Sequence, residues 1–470
     1  MEFENKVLKL TKKDDPRTWW REYPPKFFYR DVIISGDKIK KNLENSFNDK
    51  DKPISIYIHI PFCLSRCRFC KFYSEVLLSN KKRDEYLDSL EKELSFYGID
   101  FKKKPIDSLY IGGGTPTVLK KKEWNKLFKI IHKFFVFKKD IQILTEGTPE
   151  TSSLENLKIL RNFGVNRFTI GVQSFDEAVL KKANRKHNIK DIKRAMNNIK
   201  KSGIPYVNLD ILFGLVGETW DSYILTLKKI IELKPNCLSF MTLDCGQGVD
   251  KVYERDSGNS YFSKYALKSK IFSYLSYVLE RAGYEMVYGF SDSTFILKGQ
   301  EQAVNHSLLN RFKSNYVFGL GSTAYSSLGS LQYSMPLHIG KYILSVNEGC
   351  LPDFFGIEFN EDEYIRRYFI LSYILWGEIN KKDFQKRFKK KIDQVIDSKF
   401  RNLKRDKWII DTGDNIIFLP VNSQMIEKTK SKYQNYFKNY GNQERSFLFC
   451  LKYFYSSKII NQYKKYLKTC

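Results

Sequence analysis

The chain has 470 residues, of which 42% are hydrophobic and 28% charged, which is enough apolar material for a large core and more than one domain. No apolar run reaches the roughly 18 residues of a membrane-spanning helix, and the first residues lack the basic and apolar regions of a signal peptide, so we expect a cytoplasmic protein. The net charge of +27 comes from lysines scattered along predicted helices. This scatter favours solvated helix faces over a nucleic-acid interface, although steering of a polyanionic small molecule stays open.

The first strongly predicted strand leads into a loop that carries three cysteines. Residues Ile54 to Ile60 alternate apolar side chains and end at Pro61, and Cys63, Cys67 and Cys70 follow within the next ten residues. Three thiolates at C-x3-C-x2-C spacing can bind three irons of a cubane cluster and leave the fourth iron open for chemistry. A structural zinc site would need a second pair of ligands, and the remaining five cysteines occur singly.

After this loop, short apolar strands alternate with helical segments. This pattern of βα units predicts a parallel sheet in the form of a partial (β/α)6 barrel over residues 50–290. The predicted strands after Ile54–Ile60 are Leu109–Gly113, Ile141–Glu146, Phe168–Gln173, Val207–Phe213 and Leu238–Leu243, and Tyr284–Gly289 is a last strand-like piece. The predicted helices include Lys82–Phe96, Lys122–Phe135, Trp220–Leu233 and Ser263–Ala282.

The second half of the chain has a different character. Residues 291–350 are predicted to form a barrel-closing or linker region, and their Gly-rich segment Phe318–Ala324 lacks the acidic residue of a dinucleotide-binding turn. Residues 351–420 are predicted to form a mostly helical, winged-helix-like domain, and residues 421–470 a basic, aromatic helical tail. The predicted elements of that domain are the helices Glu361–Trp376, Lys381–Phe388 and Ile392–Leu403 and the strand pair Lys407–Asp411 and Asn415–Leu419.

Six motifs in fixed order resemble those of the radical S-adenosylmethionine (SAM) superfamily, and within it the oxygen-independent coproporphyrinogen III oxidase family. The motifs are Tyr57-Ile-His-Ile-Pro-Phe-Cys63, the cysteine triplet, Gly112-Gly-Gly-Thr-Pro-Thr117, Gly171-Val-Gln-Ser-Phe175, Arg185-Lys-His187 and Asn208-Leu-Asp-Ile-Leu-Phe-Gly214. The resemblance covers residues 50 to about 245 and returns in the C-terminal domain. It implies a [4Fe-4S] cluster and SAM as cofactors, and a low-potential electron donor such as flavodoxin or ferredoxin.

The resemblance also implies which residues form the site. Cys63, Cys67 and Cys70 would bind the cluster. The implied SAM contacts are Tyr57, Phe69, Gly113, Gly114, Glu146, Gln173, Arg185 and Asp210, and the implied catalytic residues are Tyr57, His59 and Arg185. Independently of the resemblance, Glu146, Gln173 and Asp210 lie at or near strand ends, so we expect them at one mouth of the barrel.

The substrate is less well defined by the motifs. The resemblance favours oxidative decarboxylation of a tetrapyrrole's propionates in porphyrin and heme biosynthesis. Residues 1–49 contain a Tyr23-Pro24 segment similar to the one that precedes the barrel in those oxidases, and we expect these residues to form a lid over the substrate cavity. Those oxidases carry a further cysteine at the position of Phe72, whereas relatives without it include C-methyltransferases and a heme-binding chaperone. The order of Asn305-His306 is the reverse of the dipeptide that marks the chaperone. We expect an oxidoreductase that acts as a monomer on a tetrapyrrole, with methyl transfer and heme binding left open.

Overall fold

The computed structural model describes residues 32–76, 79–243, 250–258, 265–289, 292–335, 338–351, 353–395 and 409–418. Its strands are β1 Ile33–Ile34, β2 Ile54–Ile60, β3 Phe62–Cys63, β4 Glu75–Val76, β5 Ile106–Gly113, β6 Phe137–Gly147, β7 Arg167–Gln173, β8 Tyr206–Phe213, β9 Cys237–Thr242, β10 Tyr284–Gly289, β11 Asp292–Leu297, β12 Tyr316–Leu320, β13 Tyr325–Leu328, β14 Leu331–Ser334, β15 Phe354–Glu358, β16 Glu378–Asn380, β17 Ile409–Asp411 and β18 Asn415–Phe418.

The α-helices are α1 Gly36–Asn48, α2 Asn80–Phe96, α3 Lys121–Phe134, α4 Leu154–Asn162, α5 Glu177–Lys182, α6 Ile189–Ser202, α7 Trp220–Leu233, α8 Lys251–Gly258, α9 Tyr265–Arg281, α10 His306–Phe312, α11 Ile339–Asn347, α12 Glu361–Leu375, α13 Lys381–Phe388 and α14 Ile392–Val395. Short 3-10 helices span Phe101–Lys103, Pro116–Val118, Pro149–Thr151 and Glu301–Ala303.

The centre of the molecule is the predicted run of βα units. Strands β2, β5, β6, β7, β8 and β9 pair in parallel in that order, with at least one α-helix between each strand and the next. Their carboxyl ends therefore lie along one edge, where side chains from distant parts of the chain can meet. The predicted partial (β/α)6 barrel is confirmed.

Strands from the second half of the chain extend this sheet on both sides. Strand β11 pairs antiparallel with β9 and carries β10, while β12 joins β2 in parallel and is followed by β13, β14, β15 and β1. In the described part of the chain this gives an open, 13-stranded sheet with β1 and β10 at its edges. The Gly-rich segment connects β12 to the antiparallel β13 instead of to a helix, so it is not a dinucleotide-binding turn.

Amphipathic helices cover the sheet and form the core. In α3, Trp124, Leu127, Phe128 and Ile131 recur at the spacing of one helix face, and all four are buried. Full burial of a side chain of this size contributes roughly 1.5–3 kcal/mol. The described part of the predicted N-terminal lid segment is α1 and β1, and α1 buries Phe47 in the same core. The Tyr23-Pro24 segment lies outside the described residues.

The C-terminal region forms a separate small sheet with helices. Strands β16, β18 and β17 make a three-stranded antiparallel sheet next to α12, α13 and α14, which agrees with the predicted winged-helix-like arrangement. The third predicted helix is described only as far as Val395, and the predicted tail 421–470 lies outside the described residues.

Candidate active site

The cysteine loop is held in place by hydrogen bonds within itself and to the turn after α5. The guanidinium of Arg66 donates to the carbonyls of Ser74 and Cys70, each at 3.3 Å, and so spans the loop. On its other side, the amide of Asn184 donates to the Arg66 carbonyl at 2.8 Å, and the Arg68 N–H donates to the Ala183 carbonyl at 3.2 Å. The loop conformation is therefore fixed by the turn after α5.

The three thiols of this loop are half-buried and have few protein partners. Thr115 Oγ1 lies 3.5 Å from Cys63 Sγ, and Arg185 Nη1 lies 3.3 Å from Cys67 Sγ. Burial raises the pKa of Cys63 and raises that of Cys70 to about 11, so without a bound cation these two groups stay as thiols near neutral pH. Among the described residues, no group of three or more His, Cys, Asp or Glu side chains is arranged to hold a single metal ion.

The glycines after β5 allow the backbone to pass close to this loop. A Cβ at Gly113, whose φ is +120°, would lie 2.8 Å from the Ile60 carbonyl oxygen, and a Cβ at Gly114 would lie 2.6 Å from that of Phe62 and 2.9 Å from Cys63 Sγ. The Gly114 N–H donates to the Ile60 carbonyl at 2.8 Å. Close approach between β5 and the entry to the cysteine loop therefore requires glycine, whatever these residues bind.

Glu146 lies at the end of β6 and contacts the same glycine segment. Its Oε1 accepts from the Gly113 N–H at 2.7 Å, and its Oε2 accepts from the Tyr110 hydroxyl at 3.1 Å. Burial, together with the neighbouring Asp210 carboxylate, raises the pKa of Glu146 to about 7. A cationic partner would lower the pKa of Glu146 again and stabilise its charged form, so this carboxylate is suited to binding an ammonium group.

Gln173 and Arg185 form a second polar pair, beside Cys67. Arg185 Nη2 donates to the Gly171 carbonyl, while the buried Nε of Arg185 and the buried Oε1 of Gln173 have no hydrogen-bond partner in the structure. Buried polar atoms without partners are rare in folded proteins, because each loses its hydration. Their position next to a cysteine thiol fits a polar ligand at this place.

Tyr57 and His59 lie on β2 and contact each other directly. Tyr57 Oη lies 2.8 Å from His59 Nδ1, and Thr323 Oγ1 lies 3.3 Å from His59 Nε2. Burial lowers the pKa of His59 to about 4 and raises that of Tyr57 above its usual range. Both side chains are therefore neutral near pH 7 and form a hydrogen-bonded chain from β2 to the segment after β12.

The remaining two predicted residues are Asp210 and Phe69. Asp210 on β8 accepts from the Asn208 amide at 2.7 Å, and its charge adds to the effect of burial in raising the pKa of Glu146. Phe69 packs against a small apolar cluster that includes Val179 on α5 and Leu212 on β8. Contacts thus connect Tyr57 through Tyr110 to Glu146 and Gly113, and Arg185 to Cys67, while Gln173 and Arg185 both lie beside Gly171.

The structure adds residues that the sequence analysis did not single out. Tyr110 packs edge to face on Tyr57, with ring centroids 5.1 Å apart, and Thr115 and Thr323 contact Cys63 and His59. The position of Tyr110, two residues before the glycine motif on a strand, was a usable signal, because alternate residues share a face. No local sequence signal pointed to Thr323, since it lies 264 residues from His59 in the chain.

Comparison with known proteins agrees with this geometry. The family described as the radical SAM superfamily matches residues 57–230. The oxygen-independent coproporphyrinogen III oxidase of Escherichia coli is 30% identical over 339 residues, covering 69% of this chain and 72% of that protein. The chain belongs to the oxygen-independent coproporphyrinogen III oxidase-like family of the radical SAM superfamily. The cofactors of this radical SAM protein are a [4Fe-4S] cluster and SAM.

Two further similarities bear on the fold and on the range of relatives. The heme chaperone HemW of Bacillus subtilis is 26% identical over 366 residues, covering 78% of this radical SAM protein and 94% of the chaperone. The solved structure of coproporphyrinogen III oxidase from Escherichia coli matches with a TM-score of 0.72 and 23% identity over 90% of this chain and 95% of that one.

In the described ranges, no helix is long and apolar enough to cross a membrane.

Proposed function

We propose that this protein is a radical SAM enzyme that acts on a tetrapyrrole, in an oxygen-independent coproporphyrinogen III oxidase-type reaction that decarboxylates propionate side chains. The observation that supports this most directly is the 30% identity to such oxidases over two thirds of the chain.

The residues at the strand ends fit the two cofactors. We assign the cluster to Cys63, Cys67 and Cys70, and SAM to the eight residues that the family motifs imply. The SAM residues are Tyr57, Phe69, Gly113, Gly114, Glu146, Gln173, Arg185 and Asp210. When bound, the reduced cluster and SAM supply a 5′-deoxyadenosyl radical that abstracts hydrogen from the substrate.

Within this site the chain's own residues bind and orient. Glu146 is suited to the ammonium of SAM, and Arg185 to a carboxylate of SAM or of the substrate, since its guanidinium can form paired hydrogen bonds. Tyr57 is more exposed than His59, so Tyr57 would contact the ligand and His59 would orient the Tyr57 hydroxyl. Exposed Arg68 and Lys71 on the cysteine loop are suited to an acidic, low-potential electron donor.

A heme-binding function is the second candidate, and Phe72 favours it. This side chain is 64% exposed beside Cys70, at the position where the decarboxylating oxidases are expected to carry a further cysteine. Similarity to HemW over 94% of that chaperone points in the same direction. A chaperone would bind heme without consuming SAM in proportion to a tetrapyrrole product.

The deciding experiment is an anaerobic reaction of the iron-reconstituted protein with SAM, a reductant and coproporphyrinogen III. Mass spectrometry would follow 5′-deoxyadenosine and the tetrapyrrole together, and a heme titration would be run on the same preparation. We expect carbon dioxide loss in proportion to 5′-deoxyadenosine. Tight heme binding with unchanged coproporphyrinogen would reject the decarboxylase in favour of the chaperone, and transfer of label from methyl-labelled SAM would indicate a methyltransferase.

A further inference from the structure

Strand β7 ends in a backbone distortion at the point where it enters the active site. Its register with β8 shifts between Gly171 and Gln173, and Gln173 has a φ of 71°, which is unfavourable for a residue with a side chain. The Gln173 side chain is 9% exposed, and its Oε1 has no partner. A strained bulge of this kind needs surrounding contacts that fix it.

Two side chains from one short segment bind the carbonyls of this bulge. Arg185 donates to the carbonyl of Gly171, and His187 Nε2 lies 3.2 Å from the carbonyl oxygen of Val172. The His187 side chain is completely buried. Arg185 also contacts Cys67, so it binds the cysteine loop as well as the bulge. His187 contacts the bulge and, among the described contacts, no cysteine.

The other ring nitrogen of His187 faces a carboxylate. His187 Nδ1 lies 3.3 Å from Oε2 of Glu150, which belongs to the turn after β6. Burial disfavours ionisation of Glu150, but the interaction with His187 and the charge of Arg185 outweigh it and lower the pKa of Glu150 to about 2. The imidazole thus lies between the Glu150 carboxylate and the Val172 carbonyl. His187 Nδ1 and Glu150 Oε2 are both buried and face each other without forming a hydrogen bond in this structure.

We propose that His187, held by Glu150, is a positioning residue that fixes the Val172 carbonyl and thereby sets the bulge that presents Gln173 to SAM. The inference deepens the proposed function and rests on its assignment of Gln173 to SAM. It differs from a packing function for His187, because it requires a hydrogen-bond donor at the place of Nε2.

Three substitutions separate the donor from the volume of the ring. In His187→Gln the amide nitrogen reaches about as far as Nε2, in His187→Asn the amide reaches only the place of Nδ1, and His187→Leu fills the space without a donor. The measurement is the dissociation constant of SAM for the full-length, iron-reconstituted protein under anaerobic conditions. Cluster absorbance and thermal unfolding check that each variant is folded, and His306→Leu, at the other end of the barrel, is the matched control.

We expect His187→Leu and His187→Asn to weaken SAM binding about tenfold and His187→Gln to stay within about threefold of the original protein. If His187→Leu does not fold, comparing the SAM affinities of His187→Gln and His187→Asn still tests whether a donor is needed at the place of Nε2. Equal SAM affinities for the three variants would overturn the positioning function and leave the proposed function intact. Failure of the unsubstituted protein to bind SAM would overturn both.

Discussion

The two halves of the active site are built in different ways. The cluster half is the loop Cys63–Cys70, in which eight consecutive residues carry all three thiols and Arg66 bonds the loop to itself. The proposed SAM half takes Glu146, Gln173 and Asp210 from three strands that meet only in the folded sheet. Local spacing therefore defines the first half, and strand order defines the second, so substitutions should affect the two halves differently.

The largest effect is expected in the cluster half. Replacing Cys67 with alanine removes one of the three proposed iron ligands, and the loop has no fourth cysteine that could take its place. We expect loss of the visible absorbance of the cluster and of 5′-deoxyadenosine formation. Cys350→Ala, at an exposed cysteine outside the loop, is the control and should change neither. Retained absorbance in the Cys67 variant would contradict the assignment of the cluster.

The contact that joins the two halves should rank second. Arg185 reaches both Cys67 and the Gly171 carbonyl, and lysine cannot reproduce two donors in a fixed fork. We expect Arg185→Lys to weaken SAM binding by about 30-fold, which is roughly 2 kcal/mol, while the cluster still assembles. Arg194→Lys on α6, where the arginine pairs with Asp191 at the surface, is the matched control. Unchanged SAM affinity would show that Arg185 acts on the substrate or on the fold instead.

Glu146 offers a test by pH. Burial raises the pKa of Glu146 to about 7, so without SAM the folded protein binds the carboxyl proton more tightly than the unfolded chain does. The contribution of Glu146 to the free energy of unfolding therefore falls as pH rises from about 4.5 to 7. Glu146→Gln removes this dependence. Above pH 7 we expect the variant to be more stable by roughly 1 kcal/mol, since the partial exposure of Glu146 reduces the effect.

The same substitution should weaken SAM binding about tenfold, because the carboxylate is lost. Denaturant unfolding across this pH range, and SAM binding at pH 8, would measure the two effects. Glu155→Gln at the exposed start of α4 is the control. If Glu146→Gln is less stable than the original protein at every pH, then the buried Glu146 carboxylate does not destabilise the folded state, and this explanation is wrong.

The smallest effect is expected for a residue that only positions a SAM contact. Tyr110→Phe removes the hydroxyl bonded to Glu146 Oε2 and keeps the ring packed on Tyr57. We expect about a fivefold loss in SAM affinity, or roughly 1 kcal/mol, with the cluster intact. Tyr277→Phe at an exposed position on α9 is the control. A loss as large as that of the Arg185 variant would mean that Tyr110 itself contacts the ligand.

Much of the barrel could be predicted from the sequence because its elements have a local signal. Helix α7 was predicted with the bounds observed, and α13 likewise, since their apolar positions repeat at helical spacing between clear start and stop residues. Strand β6 begins four residues earlier than predicted, because Phe137 pairs with Ile106 through the backbone and the Lys-rich stretch after it gives no strand pattern.

The amino-acid sequence by itself determined the cluster loop, the order of the βα units and the family, because these depend on spacing between near neighbours. Only the tertiary structure decided that β12 to β15 extend the barrel sheet, that Thr323 reaches His59, and that Glu150 and His187 meet beside the β7 bulge. Glu150 and His187 are 37 positions apart in the chain, and His59 and Thr323 are 264 positions apart. Strand pairing brings such residues together, and no local periodicity encodes which strands will pair.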